Sequence, residues 1–254
     1  SKKFVAVVTS VFSLVAASAW AQPAGDPFVC YKTRGLGSAR SGLPSFAPRT
    51  ADQVVDVFST ARPEDRHQVD LTKAIGLCAP TGVEGELIVD AVTHLEAYTM
   101  RLTKTAPRQP RHGKSLHEVV NRFGSLKLLV ETEDRMLVPT ARANGTGGAD
   151  ALTTTTVDAF KCYDAKVARA PKGLPAYPTF TPFDVDVEDA FGSRVLQVTK
   201  PRRFCAPADI GGTNPGAPTH PGYLVCYQVR LAHTKPKQPN FVATEVSTHP
   251  IFGA

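Results

Sequence analysis

Cys30-Tyr31-Lys32 recurs as Cys162-Tyr163-Asp164, 132 positions later, and this is the first match of an ordered series. Leu77-Cys78-Ala79-Pro80 returns as Phe204-Cys205-Ala206-Pro207 at an offset of 127, and Phe123-Gly124 returns as Phe252-Gly253 at 129. Between them, the segment Leu95 to Leu102 returns as Leu224 to Leu231, also at 129. The stretches that follow it, TKTAPRQPRH and AHTKPKQPNF, are alike. Matches in constant order, with offsets differing only by loop-sized amounts, mark an internal duplication. Unit A covers 25–149 and unit B covers 156–254, with the Gly-rich NGTGGAD between them. Against unit A, unit B reads as truncated at its C-terminus.

Each unit is also two-fold inside. FDVDVEDAFGSRVLQVTKPRRFCAP in unit B parallels HEVVNRFGSLKLLVETEDRMLVPTA in unit A. Both run strand, Phe-Gly turn, strand, charged turn, and a segment ending in Pro; Val138 is read as holding the place of a cysteine. Phe183, Val185 and Val187 alternate with Asp184, Asp186 and Glu188, the period of a strand with one wet face. Tyr98, Met100 and Leu102 match Tyr227, Val229 and Leu231, so the same face is buried in both copies, and a one-residue slip would exchange it for a polar one. THLEAYTMRLTK is the best helix candidate, but the Tyr/Val/Leu alternation of its copy argues for strand. With 21 Pro and 19 Gly supplying turns, the expectation is an all-β fold. It consists of tandem repeated antiparallel β modules, of small sandwich or barrel type, supported by disulfides.

Ser1-Lys2-Lys3-Phe4, the apolar VAVVTSVFSLVAA and the exit Ala19-Trp20-Ala21 have the form of a signal peptide over 1–21, with the mature chain starting at Gln22. The competing reading is a buried N-terminal strand or helix. The apolar run is short for a membrane anchor, so no transmembrane segment is expected in the mature chain. The address is secreted, periplasmic or cell surface. The formal charge of +6 falls when Lys2 and Lys3 leave, and a mild excess spread along the chain reads as solvated surface. With export, this excludes a nucleic-acid partner.

Five cysteines in an exported chain point to disulfides. A complete unit has four possible cysteine positions, and unit A fills the first two, Cys30 and Cys78, while Ala97 and Val138 stand at the last two. Their joint absence suggests that first pairs with second and third with fourth. Cys30 then pairs with Cys78 and Cys162 with Cys205. Cys226 is left unpaired, its partner expected beyond the chain end. The alternative is a Cys205–Cys226 hairpin bridge, which leaves Cys78 opposite Ala97 and sends Cys30 to Cys162 or leaves it free. A bridge closing about fifty residues stabilises by about 4 kcal/mol at most. Zinc is disfavoured, because no close C-x-x-C pair exists.

These elements resemble those of a group of exported proteins of environmental bacteria. Their repeats run C-Y-K, F-G turn, L-C-x-P, then H-L-x-C-Y-K, N-Q-F-G and L-C-V-P. Here they stand as Cys30-Tyr31-Lys32, Leu77-Cys78-Ala79-Pro80, Thr93-His94-Leu95-Glu96-Ala97-Tyr98, Asn121-Arg122-Phe123-Gly124 and Leu137-Val138-Pro139. In unit B they are Cys162-Tyr163, Phe191-Gly192, Phe204-Cys205-Ala206-Pro207, Cys226-Tyr227 and Phe252-Gly253. The resemblance spans nearly the whole mature chain and implies a repeat signature, with no activity or ligand attached.

No catalytic, cofactor-binding or metal-binding residue is assigned from the sequence. Gly35 to Gly42 lacks the G-x-S-x-G spacing of a nucleophile elbow, so Ser38 is read as a loop residue. The seven histidines, His67, His94, His112, His117, His220, His233 and His249, never form H-E-x-x-H. His94 and His220 lead into the second C-Y strands. Asp184, Asp186, Glu188 and Asp189 could supply oxygen ligands to calcium, yet a wet strand face gives the same spacing. Asn144-Gly145-Thr146 has the form of a glycan acceptor. Arg202-Arg203, Lys235 and Lys237 read as basic turns. The expected function is a non-catalytic extracellular structural or binding module, its partner an extracellular protein or glycan, with no cofactor. The alternative is an exported hydrolase whose site assembles only in three dimensions. A concave pocket with convergent ionisable groups would favour the enzyme, and an exposed sheet edge would favour binding or assembly.

Overall fold

Two-residue alternation makes most of this chain extended. The strands, in order, are β1 (Phe4–Ala17), β2 (Phe28–Gly35), β3 (Arg49–Asp56), β4 (His67–Val83), β5 (His94–Leu102) and β6 (Ser115–Asn121). They continue as β7 (Gly124–Asn144), β8 (Ala159–Val167), β9 (Phe183–Asp189), β10 (Gly192–Ile210), β11 (Leu224–Leu231) and β12 (Thr244–Pro250). The structure is a computed structural model that describes residues 4–17, 25–37, 46–60, 66–145, 148–152 and 155–252, with 4–17 and 60 described through the backbone. The helix candidate is strand β5, as its copy in unit B argued. The apolar run read as the core of an export leader is strand β1. The expected cleavage site at Ala21, with Ser38 and Thr146, lies outside the described residues.

Eight strands close a ring in the order β2-β4-β5-β7-β8-β10-β11-β1, every neighbour antiparallel and β1 pairing back to β2. Closure satisfies both backbone edges of each strand. The C-Y strands β2, β5, β8 and β11 alternate with long ones. At 17, 21 and 19 residues, β4, β7 and β10 outrun the ring, and their ends pair with short strands. β3 lies between β4 and β10, β9 between β10 and β4, and β12 between β1 and β7. β6 pairs with β7 alone among the described residues. The strands of the two sequence units therefore share one sheet.

One face of the ring points inward. Cys78, Ala97, Leu137, Cys162, Cys205 and Cys226 meet there, sealed at one end by Phe28, Leu95, Phe160 and Leu224. Cys30 and Cys78 are direct cross-strand partners and form a disulfide; a second joins Cys162 to Cys205; Cys226 is a buried free thiol. Its sulfur lies 3.5 Å from that of Cys205. The cysteine-equivalent residue of unit A is corrected by the register. Ala97 faces Leu137, as Cys30 faces Cys78, whereas Val138 faces Glu96 and packs outside the ring. The shared proline gives the same answer, since Pro80 and Pro139 each stand two residues after the rung. Outward-facing residues of the ring form two further layers beneath the short strands.

The matching T-x-P-x-Q stretches at 105–109 and 234–238 are tight turns that cover a backbone edge. Gln238 Nε2 donates to the carbonyls of Val195 (2.8 Å) and Ala232 (2.9 Å), while the Val195 N–H donates to Gln238 Oε1 (3.1 Å). Gln109 does the same for Gln68 and Thr103. In each, the threonine hydroxyl closes on the carbonyl of a proline, Pro107 or Pro236. These side-chain amides give the Val195 and Gln68 N–H groups an acceptor, beside the backbone bonds that Ala232 and Thr103 donate to the same residues' carbonyls.

Candidate functional site

Each C-Y strand sends its tyrosine out of the ring, and Tyr31, Tyr98, Tyr163 and Tyr227 are all at most 2% exposed. Burying a phenol is favourable only if its hydroxyl keeps a partner. The Phe turns supply it. Tyr31 donates to Asp189 Oδ2 (2.5 Å), and Asp189 Oδ1 accepts the Phe191 N–H (2.7 Å). In the same way Asn121 donates to the Tyr227 hydroxyl (2.8 Å) and accepts the Phe123 N–H (2.8 Å). Gly192 and Gly124 close these turns at φ of 106° and 108°, a region side chains avoid. The phenyl rings pack on the tyrosines at 4.8 Å and 5.4 Å.

Asp56-Val57-Phe58-Ser59 is a third such turn, missed in the sequence because serine stands where the others have glycine. Tyr163 donates to Asp56, the Ser59 N–H donates to Asp56 Oδ1 (3.0 Å), and the Phe58 and Tyr163 rings meet edge-on at 5.1 Å. The fourth tyrosine, Tyr98, lies 6.0 Å from the ring of Phe252 and donates to Glu96 Oε2 (2.8 Å). In every case the turn belongs to one unit and the tyrosine to the other. The units interlock.

The ionisable groups follow from this arrangement. Burial pushes the Asp189 carboxyl above its usual range, against Tyr31, the Phe191 N–H, Arg194 and Arg142. Burial pushes Glu96 up to about 7 and His94 down to about 4. Asp56 is fully buried, yet Lys161, Tyr163 and Ser59 together outweigh burial and hold its carboxyl low. Lys161 is 1% exposed, with its ammonium 3.2 Å from His67 Nδ1 and 3.8 Å from Asp56 Oδ2. Glu133 Oε1 lies 3.5 Å from the same His67 nitrogen. Such a cluster is closed to solvent and compensates its own charge.

A second cluster has hydrolase-like chemistry that the sequence did not suggest. Ser115 Oγ lies 2.8 Å from His117 Nε2 and 3.4 Å from His112 Nε2. That is nucleophile–base distance, and burial, then His112, lowers the His117 pKa. Among the described residues no carboxylate bonds His117 to orient it.

A groove of about 840 Å³ opens between the β4–β5 loop, the β9–β10 hairpin and the turn at Lys235. Its lining combines Leu87 and Ile88 with Glu86, Glu188, Arg194 and Lys235. The β4–β5 loop holds Leu87, Val89 and Val92 in solvent at 90%, 83% and 66% exposure. Backbone ties fix it there. The Val89 and Asp90 N–H groups donate to Asp26 (2.8 and 2.6 Å), those of Val92 and Thr93 to Asp90 (3.0 and 2.9 Å). Arg122 bonds Glu86 at 2.7 Å.

The remaining residues singled out by sequence scatter. Asp184, Asp186 and Glu188 are exposed while Asp189 points inward, and among the described residues no three His, Cys, Asp or Glu side chains group to hold a metal ion. His220 Nδ1 lies 2.8 Å from Asp158, His249 Nδ1 lies 3.3 Å from the Ala149 carbonyl, and His233 is exposed. Arg203 bonds Asp134, as does Arg135, whereas Arg202, Lys235 and Lys237 are exposed. Asn144 accepts from Arg142. No helix among the described residues is long and apolar enough to cross a membrane, and the two disulfides fit an oxidising, extracellular-type environment. No protein-family model, curated protein or solved structure matches the chain.

Proposed function

We propose that the chain is a non-catalytic extracellular binding module, in which an interlocked disulfide-supported ring holds a rigid loop and groove towards a protein partner. The observation that supports the non-catalytic reading is Asn121. An amide does for Tyr227 and Phe123 what Asp189 does for Tyr31 and Phe191, so the buried carboxyl of the groove serves as a turn tie and its charge is dispensable. Three apolar side chains kept in solvent by fixed backbone ties suit recognition. In the groove lining Glu86, Asp186 and Glu188 outnumber Arg194 and Lys235, which favours a basic, apolar peptide segment.

The test uses the full chain and its Asp189→Asn, Ser115→Ala and Leu87→Asp variants. The expected result is no hydrolysis of casein, nitrophenyl esters or nitrophenyl glycosides by any of them. Leu87→Asp should lose at least tenfold in binding to basic peptides on an array, with an unchanged melting temperature. Hydrolysis by the parent protein that disappears in Asp189→Asn or Ser115→Ala overturns the reading. The Ser115–His117 pair is the one observation favouring a hydrolase, which is why its variant is included.

A further inference from the structure

In each C-Y strand the residue two places before the tyrosine shares its face of the strand and is buried. In β2 and β11 that residue is Val29 or Val225, and in β5 it is Glu96. In β8 it is Lys161, although the turn ties of Tyr31 and Tyr227 stand without a charge at this place. The Lys161 ammonium lies 3.8 Å from Asp56 Oδ2 and 3.2 Å from His67 Nδ1, and Asp56 is 0% exposed.

We propose that Lys161 and Asp56 condense to an intramolecular amide, a covalent cross-link between the two units. Four observations support this, none of them used for the groove. First, an amine and a carboxyl are held side by side with water excluded, and for well-oriented pairs that advantage is on the order of 10⁵ M or more. Second, donors grip the carboxyl on both oxygens. The Tyr163 hydroxyl donates to Oδ2, and the Ser59 N–H and hydroxyl donate to Oδ1 at 3.0 and 2.8 Å. The donors on Oδ1 stabilise the negative charge that gathers there when the carbon is attacked. Third, His67 Nδ1 is within reach of the proton that must leave the ammonium before its nitrogen can attack, and Glu133 Oε1 lies 3.5 Å from the same nitrogen. Fourth, the product suits the turn. Asn121, the counterpart of Asp56, already ties Tyr227 and Phe123 through an amide. The cross-linked nitrogen keeps one hydrogen and can donate it to Tyr163 as Asn121 Nδ2 donates to Tyr227.

The step balances without a co-reactant. It starts from the ion pair, in which the Lys161 ammonium gives one proton to His67 and the free amine attacks Asp56 Cγ. The carbon–nitrogen bond forms and the nitrogen gives up a second proton. The bond from Cγ to Oδ2 breaks, and Oδ2 leaves with both protons as water, assisted by the Tyr163 hydroxyl. Oδ1 stays as the amide carbonyl and keeps the Ser59 N–H. Two buried charges become one neutral group, which removes their desolvation cost. Each disulfide lies within one unit, so the amide joins what the disulfides leave separate.

The test is the intact mass of the full chain, reduced and denatured. It should be one water lighter than the sequence requires, and trypsin should leave Asp56 and Lys161 in one branched peptide, uncut after Lys161. Lys161→Arg keeps the charge without the amine and should return the chain to its full mass. Asp56→Asn should lose ammonia in place of water and reach the mass of the cross-linked parent. A parent chain at full mass, or a water lost elsewhere with Asp56 and Lys161 in separate peptides, overturns the cross-link; so does a water loss that persists in Lys161→Arg. Because no readout involves Leu87 or hydrolysis, failure here leaves the groove's role untouched.

Discussion

Unit A closes the rung of its second C-Y strand with Ala97 against Leu137, while unit B sets Cys226 against Val15. Ala97, Leu137 and Cys226 lie on the ring's inner face, in the row that elsewhere holds Cys30–Cys78 and Cys162–Cys205. A small and a large apolar side chain fill the space of two sulfurs, so one unit gives up a bridge without giving up the strand. The change reaches the outer face too. Before its tyrosine unit A carries Glu96, where unit B carries Val225; Tyr98 bonds its own strand's Glu96, and Tyr227 bonds Asn121 of the other unit. Covalent, apolar and polar rungs are interchangeable in this ring when the volume is kept.

The strongest way to break that comparison is to remove the bridges. Cys30→Ser with Cys78→Ser, and Cys162→Ser with Cys205→Ser, open loops of 48 and 43 residues and should each cost about 4 kcal/mol in urea unfolding. Costs differing by more than about twofold would end the equivalence of the units. Next is Glu96→Gln. The folded state holds the Glu96 proton to about pH 7, against an ordinary value of 4.5. The unfolded chain therefore releases its proton first as pH rises, and the parent protein loses stability between pH 4.5 and 7. At about 1.4 kcal/mol per pKa unit, Glu96→Gln should gain about 3 kcal/mol over the parent at pH 8 and nothing near pH 4. Melting curves across pH check both the sign and the window.

Adding the missing bridge sharpens the comparison. Ala97→Cys with Leu137→Cys should oxidise to a disulfide and add about 2 kcal/mol. Val138→Cys in place of Leu137→Cys should not bridge, since Val138 faces the other way. Mapping under non-reducing conditions separates the two. The smallest effects concern the turn ties. Tyr31→Phe leaves the Asp189 carboxyl buried without its donor and should cost about 2 kcal/mol, Tyr227→Phe about 1 kcal/mol, because an amide is cheaper to strand than a carboxyl. Equal costs in thermal unfolding would mean that Asp189 is not held as a tie.

Much of this is legible in the sequence. The two-residue alternation around Tyr98, Val185 and Tyr227 predicted their strands, because a half-buried strand prints its faces into neighbouring residues. The paired absence of cysteines at unit A's second rung favoured the pairing seen, though it assigned the vacated place to Val138 and not Leu137. Counting from the shared proline would have found Leu137, as the spacing Asp-x-Phe would have found the turn at Asp56. Ser115 and His117, two residues apart, carried no pattern that distinguishes a contact from an ordinary strand face. The groove was illegible, since loops far apart in sequence form it.

The duplication, the strand period and the disulfide candidates are therefore properties of the sequence alone, because each depends on residues a few positions apart or on comparing two aligned copies. Which unit covers which tyrosine, and which strand stands beside Cys226, only the tertiary structure decided. Tyr31 and Asp189 are 158 residues apart, and Tyr163 and Asp56 are 107 apart. Nothing local selects those partners. They meet because closing the ring leaves each phenol one place to bury its ring and keep its hydrogen bond.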